Sequence, residues 1–483
     1  MALPIDLMRP PLMAIGDSLY NGMRSLTIDG KKTALSPPAL VARGLGLGTF
    51  RVPDLPKPVV VDMEGWLDQF QSILGVPLAL PRIREQIRES IRFWATGDAN
   101  VPSPSGARVF DNIAFAGSTI QDMYELTADE ADQRAREFAT SALGADGIRG
   151  LTADIGDLLV FANARFTLAP DPELSDANPF RRRTSLEIVA MREPERLLVS
   201  IGHNNGLIDI VLRAAPDGTA HLAEELAARY PEFIRQVCAL PASVGAIYVN
   251  LLPAPSAVSS LMPISTKKST ATPTELGWYY ENYETRVNYK YGTYKGERLY
   301  EIDKEIQKLN EWIVDQFRAA DTLNRVHFVD VFRRMKNLDS KNNGRTATNI
   351  FSVGPKTCTS ECFEAHPFFP GGAGFKGGGL QGLDGVHLTT LGNALMANWV
   401  LEAIAAAEGL SVTPLDLSVI GRQDSLIADP PNSWSWALWA YRDITRAAAS
   451  GTSHSRPAVE VQAVEHTLAV GASVSRRMAL IKE

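Results

Sequence analysis

Cysteine is scarce, with three in 483 residues: Cys238, Cys358 and Cys362. So few exclude a disulfide framework and suit a reducing compartment. No apolar run reaches the roughly 18 residues that a membrane-crossing helix needs, so no integral membrane segment is expected. Basic residues are not in excess: 48 Lys and Arg against 55 Asp and Glu leave a formal charge of −7. That balance offers no electrostatic footprint for nucleic acid or for an anionic lipid surface. The opening residues, MALPIDLMRP, lack the basic start and long apolar stretch of a secretion signal. As written, the chain is therefore expected in the cytoplasm, with secretion open if a leader has been removed. Three signatures are also missing: the Gly-x-Ser-x-Gly elbow, the Walker phosphate loop and the His-Glu-x-x-His helix. Their absence argues against α/β-hydrolase, nucleotide and zincin chemistry.

What is present is an ordinary soluble balance, 45% hydrophobic and 21% charged, in a chain long enough to bury a sizeable core. Five short apolar runs bounded by turn residues read as buried parallel strands: 11–17, 108–116, 196–202, 244–252 and 325–331. Helical periodicity lies between and after them, clearest at 222–239, 298–320 and 391–407. This alternation predicts an α/β fold with a parallel sheet covered on both faces. The main domain is expected at 1–410, with insertions at about 49–105, 253–297 and 339–382, and a C-terminal extension at 411–483. The first insertion carries two expected helices, 64–74 and 83–94. The second holds Trp278, Tyr279, Tyr280, Tyr283, Tyr289, Tyr291 and Tyr294, and the third is rich in Gly and Asn. The extension, with Trp434, Trp436, Trp439 and Tyr441, reads as a packed arm or a small subdomain.

Four segments carry candidate chemistry. In Met13-Ala-Ile-Gly-Asp-Ser-Leu-Tyr20 an apolar strand runs straight into Gly-Asp-Ser, which places Ser18 at the carboxyl end of a strand. Open α/β sheets bind ligands at that edge, and the serine's own N–H can meet a developing oxyanion. The plainer reading is a serine capping the next helix. In Asp384-Gly-Val-His387, an Asp three residues before a His can accept the imidazole Nδ1–H and leave Nε2 free to take a proton. The plainer reading is a helix-start aspartate beside a surface histidine. A third apolar strand ends in Gly202-His-Asn-Asn205, where Asn204 can donate its amide to an oxyanion or simply serve the turn. The fourth, Asn112-Ile-Ala-Phe-Ala-Gly-Ser118, brings in Gly117, whose N–H can approach a substrate because no Cβ intervenes.

Taken in chain order, these four segments resemble the four sequence blocks of the SGNH/GDSL hydrolase superfamily; the insertions and the extension are unmatched. The resemblance implies a three-layer α/β/α sandwich around a five-stranded parallel sheet of flavodoxin-like order. It further implies Ser18 as nucleophile, His387 as base and Asp384 as its orienter. The oxyanion hole it implies is Ser18 N–H, Gly117 N–H and Asn204. Asn205 stands where the family often has Asp.

Other motifs carry less. Gly372-Ala-Gly-Phe-Lys-Gly377 matches a dinucleotide fingerprint, but it follows Pro-Phe-Phe-Pro rather than a strand and precedes more glycine rather than a helix. Cys358 and Cys362 lack a second ligand pair at metal spacing, with only His366 nearby, so neither cofactor nor metal is expected. His327 reads as a strand residue. The Tyr-rich insertion could line a pocket for an acyl chain or sugar ring, or simply pack; following a strand end, it is expected to wall the site. The expected activity is a serine esterase or lipase acting through an acyl-enzyme on a small ester, an acyl lipid or an acylated sugar. The alternatives are an acyltransferase with the same acyl-enzyme and a non-catalytic binding module on the hydrolase scaffold.

Overall fold

A computed structural model describes residues 9–62, 64–65, 75–95, 106, 109–143, 151–170, 178–215, 217–285, 293–361, 363–365, 373–375 and 378–428. Four strands form a parallel sheet in the order β1 (Met13–Gly16), β2 (Arg196–Ser200), β3 (Ala246–Asn250) and β7 (Val326–Val329). Met13 lies opposite Leu197, Leu197 opposite Ile247, and Ile247 opposite Val326. The expected runs are longer than these strands because their ends leave the ladder as turns.

The expected strand at 108–116 is the one correction. Its backbone does run beside β1: Ala14 N donates to Asp111 O at 2.8 Å, Ile113 N to Ala14 O at 2.9 Å, and Phe115 N to Gly16 O at 3.0 Å. Only Asn112 forms a bridge pair, with Ala14. The Asn112 side chain accepts from Ala114 N at 3.2 Å and so competes for the backbone a strand would use. The sheet thus has four regular strands and one irregular edge, and the edge segment, second in the chain, lies outside β1. That is the expected flavodoxin-like order.

Side chains alternate across the sheet. Met13, Ile15, Leu197, Val199, Ile247 and Val249 enter one apolar cluster. That cluster also takes buried residues of the helices Leu151–Leu168, Gly218–Cys238 and Gly296–Ala320. Ala14, Leu198 and Tyr248 point the other way, into a second cluster with the helices Pro37–Gly44 and Thr390–Glu408. Helix, sheet and helix therefore make three layers. Helices Ala128–Leu143 and Leu151–Leu168 also pack on the first layer, at positions where no helix is expected from periodicity.

The three expected helices appear as Gly218–Cys238, Gly296–Ala320 and Thr390–Glu408. The expected helix 83–94 lies within Gly75–Ala95, while most of 64–74 falls outside the described residues. The second insertion contains a small antiparallel sheet of β4 (Leu261–Pro263), β5 (Asn282–Thr285) and β6 (Thr293–Lys295). Its aromatics pack rather than open a pocket where they are described. Tyr279, Tyr283 and Tyr294 are buried. Their hydroxyls donate to Asp303 at 2.5 Å, Asn342 at 2.6 Å, and the carbonyls of Ile210 and Ala215 at 3.3 and 3.2 Å. Tyr289, Tyr291 and the aromatic cluster 434–441 lie outside the described residues. Among the described residues no helix is long and apolar enough to cross a membrane.

Candidate active site

Gly16 ends β1 with φ +141°, and a Cβ there would meet the Ser200 carbonyl at 2.0 Å. Only glycine lets β1 pass β2 so closely. Asp17 follows in extended conformation and caps the short helix Ser18–Asn21, accepting from Leu19 N at 3.2 Å. Ser18 is therefore the first helical residue at the carboxyl end of the sheet, buried except for 6%. Its N–H lies in the first turn, where helix amides lack intrahelical partners, and it donates to nothing among the described residues.

The chain then turns tightly. Arg24 and Thr27 exchange backbone hydrogen bonds of 3.0 and 2.8 Å, and the two residues between them, Ser25 and Leu26, both have positive φ, 53° and 56°. This is the geometry of a type I′ turn, which normally takes Asn and Gly. The strained turn is used: Leu26 N donates to Asp384 Oδ2 at 2.9 Å, and Leu383 N donates to Ser25 Oγ at 3.1 Å. Asp384 is thereby held by the segment that carries Ser18.

Asp384 is filled on both oxygens. Oδ1 accepts from Val386 N and His387 N at 3.0 and 2.8 Å, and Oδ2 meets His387 Nδ1 at 2.8 Å as well as Leu26 N. Burial alone would raise its carboxyl, but His387 and the backbone amides outweigh burial and hold it below the usual carboxylate range. Burial likewise acts to lower the His387 imidazole. The Asp384 carboxylate and hydrogen bond, joined by the charge of Asp17, lift it above the ordinary histidine value. Asp17 thus acts on His387 although the two are far apart in the chain.

The remaining candidates meet at the same edge. Gly117, with φ +75°, turns the chain away from β1, and its N–H donates to nothing among the described residues. Ser118 Oγ donates to Gly16 O at 2.9 Å, which keeps this loop against the end of β1. Asn204 lies in the 3-10 turn His203–Asn205 after β2 and donates one amide hydrogen to Ser118 O at 2.9 Å. Asn205 accepts from Ile120 N at 3.1 Å, which is a turn-fixing role. Ser18, Gly117 and Asn204 therefore meet where β1, β2 and the irregular edge end, and Asp384, with His387 bonded to it, is tied to the Ser18 segment through Leu26.

One pair was not singled out from the sequence. His203 Nδ1 lies 2.6 Å from Asp17 Oδ2, and Asp17 has no exposed surface. The available signal was the position of each residue, Asp17 before Ser18 and His203 before Asn204, at the ends of neighbouring strands.

His327 is on β7, its ring stacked on Tyr248 at 5.3 Å. Cys238 and Cys358 are free thiols pushed up to about 11 by burial, whereas Cys362 and His366 lie outside the described residues. Ala373–Phe375, within the glycine motif, is a strand paired antiparallel with Phe363–Ala365 rather than a strand-to-helix turn.

A family model for GDSL-like Lipase/Acylhydrolase matches residues 12–400, from the start of β1 into the last long helix. No curated protein and no solved structure matches the chain. The four motif segments, the parallel sheet and the site at its carboxyl edge all fall inside the matched span. The chain belongs to the GDSL-like lipase/acylhydrolase family and is a hydrolase of the ester type.

Proposed function

We propose that the protein is a serine carboxylic-ester hydrolase that works through an acyl-enzyme on Ser18. Ser18 Oγ attacks the ester carbonyl carbon while His387 Nε2 takes its proton. The oxyanion is met by the N–H groups of Ser18 and Gly117 and by the second amide hydrogen of Asn204. Collapse breaks the bond to the alcohol oxygen, which leaves with the proton from His387. Water, activated by the same base, then releases the acid and restores Ser18. Asp384 holds the tautomer in which Nε2 is free.

The observation that carries this reading is the double use of Asp384 Oδ2. It receives both His387 Nδ1 and the Leu26 amide, which wires the acid–base pair to the turn leaving Ser18. The two unengaged amides, Ser18 and Gly117, support the oxyanion assignment. Ser18→Ala tests it: hydrolysis of a nitrophenyl ester should fall by on the order of 10⁴-fold or more with an unchanged thermal midpoint. A variant that keeps more than about a tenth of the turnover would remove Ser18 from the role.

A further inference from the structure

The Asp17–His203 pair is not used by the mechanism above, although it touches the nucleophile's own turn. We infer that His203 contacts the alcohol half of the ester, so that esters of polyhydroxylated alcohols are the preferred substrates. The inference rests on Ser18 as nucleophile and adds the substrate class.

The ring's orientation is fixed first. Asp17 is a fully buried carboxylate, so the 2.6 Å contact puts a proton on His203 Nδ1. With Nδ1 protonated and donating, a neutral ring presents a lone pair at Nε2. No described residue partners Nε2, and the side chain keeps 11% of its surface, about as much as the 9% of His387. His203 also adjoins Asn204 in one turn and is bonded to the residue before Ser18. It therefore belongs to the same strand-end cluster.

Polarity then selects what Nε2 can meet. The oxyanion needs donors, and a lone pair there would repel it. An acyl chain has no donor to offer. The donor an ester can bring to this place is a hydroxyl of its alcohol part, as in a partly acylated glycerol or sugar. A simple alkyl ester leaves Nε2 unpaired. A site built to hydrogen-bond a substrate hydroxyl discriminates against analogues that lack it.

The test uses His203→Asn, whose amide nitrogen can replace Nδ1 toward Asp17 but which has nothing at the Nε2 position. The readout is kcat/KM for glycerol monobutyrate and for ethyl butyrate, in the wild-type chain and the variant. Labelling of Ser18 by a fluorophosphonate is followed in both. The wild type should prefer the glycerol ester. The variant should lose about 3- to 10-fold on it, the range of one uncharged hydrogen bond, and less than about twofold on ethyl butyrate. His203→Gln, with an amide near the Nε2 position, should recover part of that selectivity. Equal losses on both esters, no loss on either, or no wild-type preference would overturn the assignment while leaving Ser18 in place. Failure of the wild type to label at Ser18 would instead bring down the nucleophile reading, and this inference with it.

Discussion

At the scale of single residues, the contact between Asp384 and His387 was legible because it lies within one short motif whose chemistry is local. The three-residue step from Asp384 to His387 is enough to bring Oδ2 within 2.8 Å of Nδ1. The Asp17–His203 contact was not legible, since it joins residues 186 apart through the register of two strands. The burial of Asp384 and His387 shapes the pH response. His387 is raised above its ordinary value, so the stability it lends is complete below about 6.5 and is lost as pH rises through its folded value. Asp384 is lowered, so its contribution is present above about 3.9 and is lost as pH falls through its folded value. The pair therefore stabilises most between about pH 4 and 6.5, whereas catalysis needs the neutral imidazole on the alkaline side. The kcat/KM profile should rise with an inflection above 6.5, and Asp384→Asn should move that inflection down. An inflection at or below 6.5, or one unmoved in the variant, would contradict this account. Asn204→Ala should lower kcat by about 10²–10³-fold with little change in KM. A pure KM effect in steady-state kinetics would assign Asn204 to ground-state binding instead.

At the scale of elements, apolar runs located the strands well because parallel strands are buried on both faces. The exception, 108–116, contains Asn112, whose side chain bonds its own neighbourhood. Leu151–Leu168 escaped notice because its residues 157–168 are buried on every side, which leaves no amphipathic stripe. Described residues of two segments that match no family block support the turn that holds Asp384. Arg24, at the turn that holds Asp384, is 6% exposed and bonds Glu64 through two contacts of 2.7 Å. It also meets Asp424 at 3.1 Å and Ser425 Oγ at 2.8 Å. Glu64 comes from the first insertion, and Asp424 and Ser425 come from the extension. Burial raises Glu64, but Arg24 and Lys32 more than offset it; Asp424 stays raised, with burial prevailing over Arg24. Arg24 thus holds Glu64 in its ionised form, whereas burial works against the charge of Asp424. Glu64→Gln should cost about 3–5 kcal/mol in urea denaturation at pH 7, as expected for a broken buried pair. Asp424→Asn should cost less than Glu64→Gln, because burial already disfavours its ionised form in the fold. Equal losses in the two variants would show that the charge is shared differently.

At the scale of the whole molecule, the alternation of strands and helices implied a parallel sheet covered on both faces, and the family resemblance implied the sheet order. Neither implied how the insertions wrap that sheet. Ser260 N donates to Gly385 O at 3.0 Å and Ser259 N to Gln381 Oε1 at 2.6 Å, so the second insertion braces the Asp384 loop from outside. Such contacts depend on irregular backbone, for which composition carries no period. The central claim is that this assembly activates Ser18, and one measurement tests it most directly. The intact chain is treated with a fluorophosphonate, digested, and the modified peptide sequenced by mass spectrometry. The account predicts a single adduct on Ser18, absent in Ser18→Ala and formed far more slowly in His387→Ala. An adduct on another serine, or labelling that persists unchanged in Ser18→Ala, would contradict it.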